Sequence, residues 1–130
     1  MMKPEEFSYA VETEKSFDDA VIAVLKAAEQ RGWALFQIYD IKERMAAKGF
    51  EHHPLKIIEL CAAKHANQLL KQNRLVSLCM PCKINVFQEN TAVRIVTMKP
   101  TMMTQFFPEI NPEDAKIIEK DVIAIVDGAR

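Results

Sequence analysis

The stretch from residue 83 to residue 98 limits the fold more than any other part of the chain. Residues 83–88 and 92–98 both read as strands, with Val93, Ile95 and Thr97 alternating against Arg94 in the second. Only Glu89, Asn90 and Thr91 lie between them. Parallel neighbours need a crossover of roughly a dozen residues or more, so a connection this short makes the pair an antiparallel β-hairpin. A terminal hairpin does not suit a doubly wound parallel sheet, and the preceding elements must fit an antiparallel one.

Upstream, Phe7, Tyr9, Val11 and Thr13 recur at period two and predict a half-buried strand. Ser16 is a good N-cap, and Asp19 three residues later completes a capping-box-like pattern. Phe17, Ala20, Val21, Val24, Leu25 and Ala28 then form an amphipathic helical stripe, stopped by Gly32. Residues 33–40 predict a second strand, with Trp33, Leu35 and Tyr39 on one face and Phe36 and Ile38 on the other. Apolar residues on both faces imply an inner strand, or one face covered by a partner chain. Asp40 and Glu43 frame a short helix closed by Gly49, whose weak apolar stripe predicts a surface position. Residues 50–54 form a loop ahead of Pro54.

A third strand is expected over 56–61 and a helix over 63–73, with Ala66, Leu69 and Leu70 inward. Residues 74–81 read as a turn with a short extended piece at Leu75 and Val76. After the hairpin, Met102, Met103, Phe106 and Phe107 mark 99–108 as a core-covering loop or single helical turn. A lid or subunit contact is the alternative, because methionine adapts to irregular apolar surfaces. Asn111 and Pro112, followed by Glu113 and Asp114, start the last helix strongly. Its stripe of Ala115, Ile118, Val122 and Ile125 is widened by Ile117, Ile123 and Val126, so it should pack against more than one surface. The expected architecture is a single α+β domain over 1–130, in the order β-α-β-(α)-β-α-β-β-α. About five mainly antiparallel strands would carry helices on one face.

Composition narrows the function classes. A chain of 130 residues, 49% hydrophobic, builds an ordinary core. With 17 basic against 18 acidic side chains there is no electrostatic case for nucleic acid or an anionic membrane. Neither a secretory signal nor a membrane-spanning run is legible, and an odd cysteine count fits a reducing, cytoplasmic setting. Three glycines, none in a phosphate-binding pattern, argue against a nucleotide loop, and no cofactor is expected.

The candidate chemistry is sulfur. Cys79 and Cys82 bracket Met80 and Pro81 with C-x-x-C spacing, but a strand rather than a helix follows, so the helix terminus that activates dithiol motifs is missing. Cys61 and Cys82 each sit at a strand end, and neighbouring strands would bring them close. Lys64, Lys83 or His65 would lower a thiol pKa if turned inward. Equally, buried cysteine is an ordinary small hydrophobe. Cys61, His65, Cys79 and Cys82 form a formal Cys3His set for zinc, a weaker reading without regular helical spacing. His52 and His53 read as a solvated pair, and the acidic residues Glu12, Glu14, Asp18 and Asp19 as a helix-capping region.

Cys61 closing a strand, then Lys64, His65, Ala66, Leu69 and Leu70, then Met80-Pro81-Cys82 leading into the hairpin, together resemble the family of unknown function numbered 302. Ala62 and Ala63 depart from it where an asparagine–proline pair is common. The resemblance implies a sheet with helices on one side, similar to the TATA-binding-protein arrangement, and a homodimer. The function expected is a cytosolic module that binds or senses a small ligand, or a sulfur or redox species, through Cys61 and Cys82, with Cys79 as a resolving thiol and Pro81 beside them. A thiol-dependent oxidoreductase or sulfur transferase is the alternative, and a structural role with inert cysteines the third.

Overall fold

The computed structural model describes residues 1–130. A one-turn helix α1 (Pro4–Phe7) leads into β1 (Ser8–Thr13), followed by α2 (Phe17–Gln30), β2 (Ala34–Asp40), α3 (Ile41–Ala46) and β3 (Leu55–Cys61). Then come α4 (Ala63–Gln72), a 3-10 turn (Arg74–Cys79), β4 (Cys82–Glu89), β5 (Ala92–Met98), a second 3-10 turn (Pro100–Gln105) and α5 (Pro112–Ala129). The α+β order read from the sequence is present, with α1 added at the start. Residues 74–79, expected to include an extended piece, instead coil into 3-10 geometry capped by Asn73, whose Oδ1 accepts from Leu75 N at 2.9 Å.

The hairpin closes with Glu89 opposite Ala92, and Asn90 takes φ 57, a value asparagine tolerates better than most residues. All neighbours in the sheet are antiparallel, in the order β1-β5-β4-β3-β2. β2 is therefore an edge strand, not an inner one. A register shift between Leu35 and Gln37 interrupts its alternation, and Leu35 and Phe36 are both exposed. Apolar residues on both faces of β2 thus reflect a bulged edge rather than double burial.

Local signals place the helices. Ser16 Oγ accepts from Asp19 N at 3.1 Å, and Gly32 takes φ 78 just beyond the end of α2. Asn111 caps α5 through Glu113 N at 2.8 Å, with Pro112 at the first position. α4, by contrast, starts at Ala62 with no side-chain cap.

The core lies between α2 and α5 and one face of the sheet. Ile58 and Leu60 of β3, Ile84 and Val86 of β4, and Val93 and Ile95 of β5 all point there. Val24 of α2 and Val122, Ile125 and Val126 of α5 meet them, each fully or almost fully buried. The breadth of the α5 stripe follows from its contacts with the sheet and with α2 together. Ile117, at the margin of that stripe, is exposed. The other sheet face carries no helix layer: one row across it runs Ala10, Val96, Asn85, Ile57, Tyr39, all half-buried. No helix is long and apolar enough to cross a membrane.

Candidate functional site

A cleft of about 460 Å³ opens at the end of the sheet where β1 and β4 begin and β5 ends. Lys83, Asn85, Val96 and Met98 of the β4–β5 ladder line it, and the Thr97 hydroxyl ties that ladder together by donating to the Lys83 carbonyl at 2.8 Å. One wall is formed by Leu78, Cys79, Pro81 and Cys82, where the 3-10 turn hands over to β4 across a cis Met80–Pro81 bond. The opposite wall is the Pro100–Gln105 turn with Met102, Met103 and Phe106.

That second wall is fixed from behind. Met103 is buried in the core, and Thr101 donates to Glu119 Oε1 of α5 from both Oγ1 (2.6 Å) and N (3.2 Å). On the remaining side α1 closes against β5: Lys99 N donates to the Phe7 carbonyl at 2.7 Å, and Lys99 Nζ to the Glu5 carbonyl at 2.8 Å. Residues 99–108 therefore both cover core and shape the cleft. Phe106, however, is largely exposed at the rim, as are Leu78 and Met98.

Asn85 is the residue that sequence reasoning missed. Its Oδ1 is shut from solvent and has no hydrogen-bond partner, the only buried side-chain polar atom of the chain in that state. Leaving such an acceptor unpaired costs about 1–3 kcal/mol, so its position in a cleft wall is significant. Nothing in the linear sequence marks it, because an asparagine between Ile84 and Val86 looks like any outward residue of a strand.

The sequence-predicted thiols divide. Cys79 and Cys82 line the same cleft, Cys79 exposed and Cys82 half-buried, and all three cysteines are free. Burial pushes the Cys82 thiol up to about 11, with Cys61 and Cys79 adding to the rise and Lys83 opposing it. Cys61 is buried, lies outside the cleft, and its thiol is raised by burial as well. The strands of Cys61 and Cys82 are neighbours, and Cys82 stands opposite Leu60. Side-chain alternation then sends the Cys61 thiol to the far face of the sheet. Cys61 and Cys82 are thus offset by one position in the ladder, yet near enough for Cys61 to raise the Cys82 thiol.

His65 is engaged elsewhere. Its Nε2 lies 3.6 Å from Asp121 Oδ2 and its ring 6.0 Å from Trp33. Asp121 also accepts from Trp33 Nε1 (2.5 Å) and Arg31 Nε (2.6 Å), so one carboxylate gathers α4, α5 and the α2–β2 connection. Burial of Asp121 favours its neutral form, but these hydrogen bonds and the Arg31 and His65 charges outweigh it and hold the carboxyl below its usual value. Among His, Cys, Asp and Glu, no three side chains converge as metal ligands, so the Cys61, His65, Cys79 and Cys82 set is not assembled. Lys64 is exposed, and His52 and His53 are exposed in their loop. Lys83 Nζ lies 3.7 Å from Glu59 Oε2, a carboxylate that also accepts from Tyr39 Oη at 2.8 Å.

The fold is shared, over nearly the whole length of the chain, with a solved structure. The crystal structure of an uncharacterized conserved DUF302 protein from Bacillus stearothermophilus matches with a TM-score of 0.89 at 29% identity, covering 95% of this chain and 98% of that one. No curated protein matches the chain. Residues 9–129 match the family described as "Domain of unknown function DUF302", and the chain belongs to that family.

Proposed function

We propose that this domain is a binding module for a small, largely apolar ligand held in the cleft between residues 78–82 and the Pro100–Gln105 turn. The observation that carries the reading is the unpartnered Asn85 oxygen in the wall of a mainly apolar cleft. Ligand pockets usually hold about 300–1,000 Å³ and pair apolar walls with a few placed polar groups. The cleft's volume of about 460 Å³ falls in that range. A small rotation of the Asn85 amide would offer its hydrogen-bonding capacity to a bound molecule.

Amide NMR during addition of small aromatic and aliphatic fragments tests this. Shifts should concentrate on Asn85, Val96, Thr97 and residues 102–106. Shifts scattered over the surface, or none, would remove the proposal.

A second reading retains sulfur chemistry, favoured by Cys79 and Cys82 lining that same cleft. In it Cys79, the exposed thiol, meets a thiol-reactive ligand first, and Cys82 stands behind it. A dithiol oxidoreductase is less well supported, because a thiol titrating near 11 stays protonated at neutral pH.

The homodimer is proposed to form through β2, whose outer backbone edge is unpaired within the chain and whose Leu35 and Phe36 are exposed beside it.

A further inference from the structure

We infer that the cleft selects an amphipathic anion: an apolar body carrying a single carboxylate or comparable acidic group. The inference rests on the ligand-binding reading above and narrows it to a chemical class. Its basis is the charge distribution of the wall. Two lysines, Lys83 and Lys99, line the cleft, and no aspartate or glutamate does.

The two ammonium groups are not equally committed. Lys83 Nζ sits 3.7 Å from Glu59, too long for a good hydrogen bond, and its side chain is half-exposed. Lys99 Nζ donates to the neutral Glu5 carbonyl at 2.8 Å and has no carboxylate within ion-pair distance, so its charge is uncompensated. An uncharged apolar ligand would leave that charge beside a dry surface, whereas an anion would neutralise it.

The apolar share of the site is equally specific. Phe7, Met98, Met102 and Phe106 surround the opening with flexible or aromatic side chains. Thioethers mould to irregular hydrocarbon shapes, so they suit an alkyl or aryl body rather than a sugar-like one. The Asn85 amide then supplies a neutral polar contact on the same β4 face as Lys83.

Competition for the neutral dye Nile red separates charge selection from cleft binding itself. Decanoate and decanol share one chain length and differ in charge. On the native protein, decanoate should displace the dye about tenfold more effectively, and added salt should narrow the gap. In the Lys83→Gln/Lys99→Gln double variant the preference should be lost, with decanoate and decanol displacing the dye equally. The Lys83→Arg/Lys99→Arg variant should keep it, which guards against a mere folding defect.

Equal displacement by the two compounds on the native protein, or a preference that survives in the glutamine variant, would overturn the anion assignment and leave the cleft reading standing. Failure of dye and both competitors to bind would bring down both.

Discussion

Leu60 of β3, not Cys61, stands opposite Cys82 of β4. Leu60 belongs to the core and Cys82 packs against it, so the two share the helix-covered face. Cys61 is one residue further on and turns the other way. Adjacent strands thus place the two cysteines one residue out of register. A one-residue offset decides the chemistry here, because the side-chain period of a strand is two.

Alkylation of the native protein near neutral pH should therefore label Cys79 first, since it is exposed while Cys82 is half-buried and raised and Cys61 is buried. Peptide mapping by mass spectrometry after short exposure to iodoacetamide reads the order. Labelling of Cys82 as fast as Cys79 would contradict the partial burial of Cys82.

The same thiol gives an alkaline signature. Its folded pKa of about 11 lies above the ordinary 9.0, so the folded state holds the proton more tightly than the unfolded chain. The contribution is fully present below pH 9.0 and is lost as pH rises through about 11. At about 1.4 kcal/mol per pKa unit it amounts to on the order of 2–3 kcal/mol. Urea unfolding of Cys82→Ala should show a shallower loss of stability over that window than the native chain. Parallel curves would mean that Cys82 does not titrate differently on unfolding.

Replacing Asn85 with leucine should separate stability from binding. The change removes a buried acceptor with no partner, so unfolding free energy should stay level or rise by about 1 kcal/mol. Fragment binding in the cleft should weaken at the same time. A loss of 2 kcal/mol or more, an order of magnitude set by broken buried networks, would show that Asn85 has a structural partner after all.

Asp121→Ala should cost about 2–3 kcal/mol in urea unfolding, because Trp33 Nε1 and Arg31 lose a shared charged acceptor. With its folded pKa below 3.8, the aspartate stabilises the fold above that pH and ceases to do so as acid titrates it. The acid limb of the native stability curve should be steeper than that of Asp121→Ala below about pH 4. A variant as stable as the native chain would demote the Asp121 cluster to surface decoration.

The β2 edge predicts assembly. Light scattering should find a dimer for the native chain, and Leu35→Lys together with Phe36→Lys should shift it to monomer without loss of helix content. A native chain that is monomeric at all accessible concentrations would reject the edge contact.

The sequence alone determined most of the helices and strands, and the antiparallel run of the last two strands, because those depend on local periodicity and short connections. Ser16, Gly32, Asn111 and Pro112 set helix limits through contacts within a few residues, and a three-residue link left the last two strands no choice but to run antiparallel. What lay between distant segments was decided by the tertiary structure. The place of β2 at an edge, the turning of Cys61 away from Cys82, and the capture of His65 by Asp121 each depend on sheet order, register or the packing of α4 and α5. The 83–98 hairpin joins the two levels. Its pairing was fixed locally, yet the cleft at its end exists only because residues 78–82, α1 and the Pro100–Gln105 turn close around it from three separate parts of the chain.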